Sequence, residues 1–349
     1  MLSRVADNLY WLARYLERAE NLARLVDVNS NLLLDLPRDM APGWQPLILI
    51  TGSDKKFAER ARDVSERAVI RFVVADDENP GSMVSSLAGA REIARTVRDF
   101  LPREAWEHIN QQYHYVIEHA GEANSKRTRH AFLEHVILGT HTFTGMLEGI
   151  VNEGATLSFM ALGRNIERAD MTSRIVDVRA VDMLPATGGR MRPFASIQWM
   201  SVLRSLSGYH MYRLKMRERV HPNGVVRFLL ADDDFPRACV CCLRRMEAVL
   251  RTLPNSDLLQ RRVARVQRAL VSQLERKLSQ DELHSFIDRL QLALARINDE
   301  LARTYFLGDI GQPRAAPASQ SQSQSQWQSQ TQTQSRTQGS NEPEFELSE

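Results

Sequence analysis

The string RYLERAENLARLVDV, Arg14 to Val28, returns as RNIERADMTSRIVDV from Arg164 to Val178. Eight of these fifteen positions are identical at an offset of 150, where average composition yields about one match. RFVVADDENP at 71 and RFLLADDDFP at 227 correspond at an offset of 156, Trp44 and Trp199 at 155, and Leu101-Pro102 and Leu253-Pro254 at 152. Phe132-Leu133-Glu134 and Phe286-Ile287-Asp288 follow more loosely at 154. Preserved order with a slowly drifting offset is what short loop insertions leave behind, so the pattern predicts a tandem duplication. The expected units are residues 1–152 and 153–308, each a bundle of four to six helices, packed about a pseudo-two-fold axis with matching helices close together.

Each unit reads as helical. Apolar residues recur at helical spacing in Leu2, Val5, Leu9, Leu12, Leu16, Ala19, Ala23 and Val26, and again in Leu258, Val263, Val266, Leu270 and Leu274. The best strand-like run, PLILITG at 46–52, fits a helix equally well. Prolines from Pro37 to Pro254 cut the chain into ten to twelve helices, so an all-α fold is predicted. After Gly311 the sequence turns to SQSQSQWQSQTQTQ. Such a tract has too little apolar surface to offset its ordering entropy, and 309–349 is expected to be a disordered tail.

Composition narrows the function. With 45 basic and 43 acidic residues the formal charge is +2, too small for a general polyanion binder, so nucleic acid is not expected. No run approaches the roughly 20 apolar residues of a membrane span, and the N-terminus lacks a secretory core. A cytoplasmic protein with no membrane partner is expected. Cys239, Cys241 and Cys242 lie in one apolar run and read as reduced packing residues.

The repeated string carries the candidate site. On a helix advancing about 100° per residue, Glu17, Glu20, Arg24 and Asp27 form one stripe at the edge of the apolar arc. Glu20 projects within about 20° of Leu9, and Asp27 almost on top of it. Glu167, Asp170, Arg174 and Asp177 repeat the stripe, while Arg14, Arg18, Arg164 and Arg168 point toward the solvated or inter-helix flank. Carboxylates withdrawn from water need partners, so Arg24 and Arg174 are each expected to bridge the acids one turn before and one turn after. Two readings follow. One is a buried salt-bridge network that fixes helix register. The other is a functional site in which three acids per arginine leave a net negative charge, suited to a cation, an amine or proton transfer.

Six of the nine histidines lie between 108 and 141, and His114/Glu118 and His130/Glu134 are spaced for a one-sided metal site. Surface or interface roles are the plainer reading, and no metal is expected. The ADDENP and ADDDFP segments read as helix N-caps, with Pro80 and Pro236 at the first helical position. GMLEGIVNEG at 145–154 reads as a close-packed helix end without the Gly-Lys-Ser/Thr of a phosphate loop. No nucleophile elbow, metalloprotease or dinucleotide motif is present, so chemistry by this chain alone is not indicated.

MLSRVADNLYWLARYLERAENLARLVDV, LGRNIERADMTSRIVDV at 162–178 and RFLLADDDFPRACVCCLRR at 227–245 together resemble the bacterial alpha-E family, over residues 1 to about 307. The resemblance implies an all-helical domain associated with circularly permuted ATP-grasp proteins and transglutaminase-like proteases, in systems that make or modify peptides. ATP and magnesium would belong to the ATP-grasp partner, and this chain would need no cofactor of its own. It would be an accessory or scaffold component that docks the ligase or presents a peptide substrate. The alternative is an enzyme that acts on an amine or peptide through the paired acidic-arginine motifs.

Overall fold

A computed structural model describes residues 2–37, 41–183, 192–276 and 278–307. Every regular element among them is helical: α1 (Ser3–Asp35), α2 (Gln45–Thr51), α3 (Asp54–Arg60), α4 (Glu66–Ile70), α5 (Met83–Thr96), α6 (Arg103–His119) and α7 (Arg129–Ile150), then α8 (Ala155–Met183), α9 (Arg192–Ser205), α10 (Tyr209–Met216), α11 (Pro222–Ala231), α12 (Cys239–Leu250), α13 (Asp257–Leu274) and α14 (Gln280–Leu301). Fourteen helices replace the expected ten to twelve, and seven stand on each side of the turn at 151–154 rather than four to six. The surplus comes from α3, α4 and α10, which are too short to establish an apolar period that sequence alone can register. The predicted tail and Pro185 lie outside the described residues.

The boundaries follow local chemistry. At the end of α1, Leu36 turns to extended backbone immediately before Pro37, whose ring disfavours a helical predecessor. Gly52 ends α2 at φ +63°, a left-handed conformation natural to glycine, and its N–H returns to Ile48 and Leu49 carbonyls. Ser279 and Glu282 form a reciprocal capping box at the start of α14.

The 33-residue α1 and 29-residue α8 are the central pair, with more contact between them than between any other two elements. α1 is flanked by α5, α7 and α9, and α8 by α12, α14 and α2; α6 covers α5 and α7, as α13 covers α12 and α14. One buried cluster, including Leu9, Leu12, Leu22, Phe132, Ile175, Trp199 and Leu243, runs through all of them. Each such leucine or phenylalanine contributes about 2 kcal/mol on burial, enough in sum to hold the two long helices together. Gly163 sets their spacing: a Cβ there would lie 2.1 Å from the Tyr10 carbonyl oxygen. By contrast Gly145, Gly149 and Gly154 face open space, so the 145–154 segment ends a helix but is not close-packed. None of the described helices is long and apolar enough to cross a membrane.

Candidate functional site: a glutamate-arginine clamp and its adjoining pocket

Residues at intervals of three and four on α1 face α8, and the two repeated strings meet there side chain to side chain. Arg14 Nε donates to Glu167 Oε2 at 2.8 Å, and Arg18 donates Nε to Oε1 at 2.7 Å and Nη2 to Oε2 at 3.2 Å. The converse pair, Arg168 Nε at 2.9 Å from Glu17 Oε1, makes the clamp reciprocal. A further arginine enters from the turn between α11 and α12. Arg237 Nη1 donates to Glu17 Oε1 at 2.6 Å and to Asn21 Oδ1 at 2.9 Å, while Nη2 donates to Glu20. Glu20 also accepts from Arg24 Nε at 3.0 Å and Thr140 Oγ1 at 3.1 Å, and lies 3.0 Å from His141 Nε2.

These carboxylates are buried, and each is paired with two arginines. Burial alone would raise the Glu167 pKa, but the Arg18 and Arg14 charges outweigh it and hold the carboxyl at about 2. Burial likewise opposes ionisation of Glu20, yet Arg237, the His141 hydrogen bond and Arg24 keep it well below the usual carboxylate range. The expectation of excess negative charge is overturned: Glu17, Glu20 and Glu167 face Arg14, Arg18, Arg24, Arg168 and Arg237, a balance of three against five. Nor are Arg14, Arg18 and Arg168 solvated; the inter-helix half of that expectation is what the structure contains.

Because the Glu167 pKa is lowered on folding, its stabilisation is complete above 4.5 and is lost as the pH falls toward 2. Folding free energy measured by urea titration should therefore fall between pH 5 and 2 by about 3 kcal/mol through this group. Glu167→Gln should flatten that part of the profile.

Most of the remaining predicted residues pair within their own helix or with histidines. Arg174 Nε donates to Asp170 Oδ2 at 2.8 Å, and Arg24 reaches back to Glu20, so each arginine bridges only to the preceding acid. The following acids turn to histidines instead. Asp27 Oδ1 lies 2.9 Å from His130 Nδ1, and Asp177 Oδ1 lies 2.7 Å from His284 Nδ1. The proposed His130/Glu134 metal pair is thus diverted to an ion pair, and its counterpart at His284 corrects the expectation that histidine chemistry belongs to one half. The Asp27 hydrogen bond and charge raise the His130 pKa above its ordinary 6.5. At His284 partial burial opposes the same effect, and Asp177 prevails. Burial also pushes the Asp177 carboxyl up, against the opposing His284 hydrogen bond and charge. Both pairs stabilise fully below pH 6.5 and weaken as the pH rises through the folded histidine values. Imidazole proton resonances followed by NMR should titrate above 6.5 at both positions.

The acidic turns do not cap the following helices. Asp232 Oδ1 accepts from the Asp234 and Phe235 N–H groups, and Asp76 Oδ1 from Glu78 N–H, closing local turns. Pro80 and Pro236 stand outside the helices; Ser82 caps α5, and α12 begins after Ala238 without a side-chain cap. Lys215 Nζ sits against the second turn, 2.8 Å from Asp232 and 3.0 Å from Asp234. Burial raises the Cys239 thiol well above its usual value and Cys242 to about 12, which makes both poor nucleophiles.

Beside the clamp, a cavity of about 160 Å³ opens between α1, α7 and α8. Glu17 and Glu20 belong to its floor, Leu16, Phe143, Leu147 and Met160 to its walls, and Arg164 to its rim. Arg164 Nη2 donates to the exposed Glu148 carboxylate at 3.2 Å. With each buried glutamate ion-paired to two arginines, the arrangement offers an apolar-walled recess rather than a free general base.

Arg237, His141 and Asn298 were not singled out by the repeat. Arg237 had a detectable signal: at the offset of 156 its counterpart is Gly81, so a charge appears in one copy only. Nothing in the sequence marks Asn298 as the acceptor for Arg14 Nη1 and Tyr10 Oη.

Comparison with known proteins completes the site. Proteins of Mycobacterium bovis and Mycobacterium tuberculosis, named only as uncharacterized, are 27% identical to this chain over 279 residues. The alignment covers 73% of this chain, which spans only about 30% of the length of those curated relatives. No solved structure matches. A family described as a predicted alpha-helical domain with a conserved ER motif matches residues 1–306. Helices throughout the described part of that range, with Glu17-Arg18 and Glu167-Arg168 interlocked at its centre, agree with that description. The chain belongs to the Alpha-E family.

Proposed function

We propose that this protein is a non-catalytic helical component of an ATP-grasp-dependent system that forms or modifies peptide or amide bonds, docking the ligase or holding its peptide substrate. The observation that carries this reading is the engagement of the buried carboxylates: Glu17, Glu20 and Glu167 are each ion-paired to two arginines, so none of them stands as a free general base. A partner must then supply the chemistry, with ATP and magnesium bound there. The family resemblance names a circularly permuted ATP-grasp protein and a transglutaminase-like protease as those partners. The mycobacterial relatives add support of a different kind, since the matched unit is joined there to a much longer chain. Work beside an ATP-consuming partner belongs in the cytoplasm.

The same reading takes the chain as a duplicated unit, residues 1–152 and 153–308. It is supported by the matched order of α1–α7 and α8–α14 and by the parallel neighbours of α1 and α8.

The test is direct. The purified chain should co-elute with the circularly permuted ATP-grasp protein of the same genome and change its ATP turnover in the presence of a peptide acceptor. Separate elution together with unchanged turnover would remove the proposal.

A further inference from the structure

Arg14 and Arg164 occupy corresponding positions 150 residues apart, yet their surroundings differ. Arg14 is enclosed by its own helix. Its Cζ lies 4.5 Å from the Trp11 ring and 5.7 Å from the Tyr10 ring, and Nη1 donates to Asn298 Oδ1 at 2.9 Å. Tyr10 donates to the same oxygen at 2.6 Å and packs on Phe306 with ring centroids 5.1 Å apart. Two aromatic rings thus fill the corner beside this guanidinium.

The residues 150 positions after Tyr10 and Trp11 are Met160 and Ala161, and both line the cavity beside Arg164. Where one half of the chain supplies a phenol and an indole, the other supplies a thioether, a methyl group and a void of about 160 Å³. We propose that this pocket binds a planar aromatic ring, the phenol or indole of an aromatic amino acid or peptide residue, stacked against the Arg164 guanidinium. The inference is independent of the partnership proposed above.

Three observations carry it. The void is comparable to the dry cavity of about 150 Å³ that is known to hold benzene in another protein. Its walls at Leu16, Phe143 and Leu147 are apolar, while the Thr140 and Thr144 hydroxyls are within its lining and can meet a phenol or indole polar edge. Arg164 is also poorly provided for: its hydrogen-bond partner among the described residues is Glu148 at 3.2 Å, and burial together with the Arg168 charge disfavours its cationic form. The face of an aromatic ring supplies the missing stabilisation. An amine is not favoured, because Glu17 and Glu20 are already committed to arginines.

Indole, phenol and cyclohexanol are the probes, titrated into the full-length protein and followed by NMR and calorimetry. Indole and phenol should bind saturably in the millimolar range and shift the Ala161 and Thr144 methyl resonances. Cyclohexanol, alike in size to phenol but without a ring face, should bind about fivefold more weakly. N-acetyl-L-tyrosinamide and free L-tyrosine distinguish a peptide residue from a free amino acid by which binds more tightly. Ala161→Trp should supply the missing ring from within, abolishing indole binding and raising the melting temperature, and Arg164→Lys should weaken binding. Absence of saturable binding by either aromatic probe, equal affinity for cyclohexanol, or undiminished indole binding to a folded A161W protein would overturn the proposal. The comparison of phenol with cyclohexanol needs no variant and stands even if A161W fails to fold.

Discussion

Glu167→Gln is expected to destabilise the fold by about 3–5 kcal/mol in urea denaturation at pH 7. The substitution keeps the side-chain volume and one acceptor oxygen but removes the carboxylate that Arg14 and Arg18 share. Two guanidiniums would remain in the α1–α8 interface, each with only a tenth of its side chain exposed and without the carboxylate that pairs it directly. Leaving buried charge uncompensated costs more than the pair itself contributes, because the desolvation of both ions has already been incurred. That asymmetry supplies a control. Replacing the whole triad, Arg14→Met, Arg18→Met and Glu167→Met together, should recover most of the loss, since the triad then leaves no unpaired ion behind. A triple variant no more stable than E167Q would mean that packing, rather than charge, dominates there.

Gly163→Ala should cost about 3 kcal/mol, at the upper end for overpacking. The obstacle is the Tyr10 carbonyl, a backbone atom 2.1 Å from where the new carbon would sit, so relief requires α1 and α8 to separate. Separation would also lengthen the clamp contacts, and the loss should exceed what one methyl group implies. Gly145→Ala is the matched control: it lies on α7 with nothing near the added carbon, and should stabilise by about 0.5–1 kcal/mol through helix propensity. Thermal unfolding of the two variants should therefore shift in opposite directions.

Both expectations reflect how the clamp is built. A carboxylate that binds two guanidiniums from the opposite helix fixes axial register as well as distance, because a slip along either helix breaks all three hydrogen bonds. Arg237 ties this pair to the turn before α12, and Thr172 Oγ1 returns a bond to the Arg237 carbonyl at 2.8 Å. The floor of the pocket is therefore held by four elements at once, which suits a recess that must keep its shape when empty.

Much of this was legible in the amino-acid sequence. Helical apolar spacing gave the class, and the phase of Glu17 and Glu20 against Leu9 required that charge be drawn into an interface and paired. The repeat identified Glu17-Arg18 and Glu167-Arg168 as equivalent segments before any distance was known. A local ladder was the natural expectation for their partners, since residues three and four apart are neighbours on any helix. Only the Arg24–Glu20 and Arg174–Asp170 links obey it.

What the sequence determined by itself is the periodic part: helices, their apolar faces, and charge at the margin of those faces. Tertiary structure alone decided which cation meets which anion. Arg237 reaches Glu17 across 220 positions, and Asn298 reaches Arg14 across 284, because α12 and α14 pack on α8 beside its contact with α1. Periodicity is a property of one helix and can be read along the chain. Pairing depends on the rotation and offset of several helices against one another, which many distant side chains settle together.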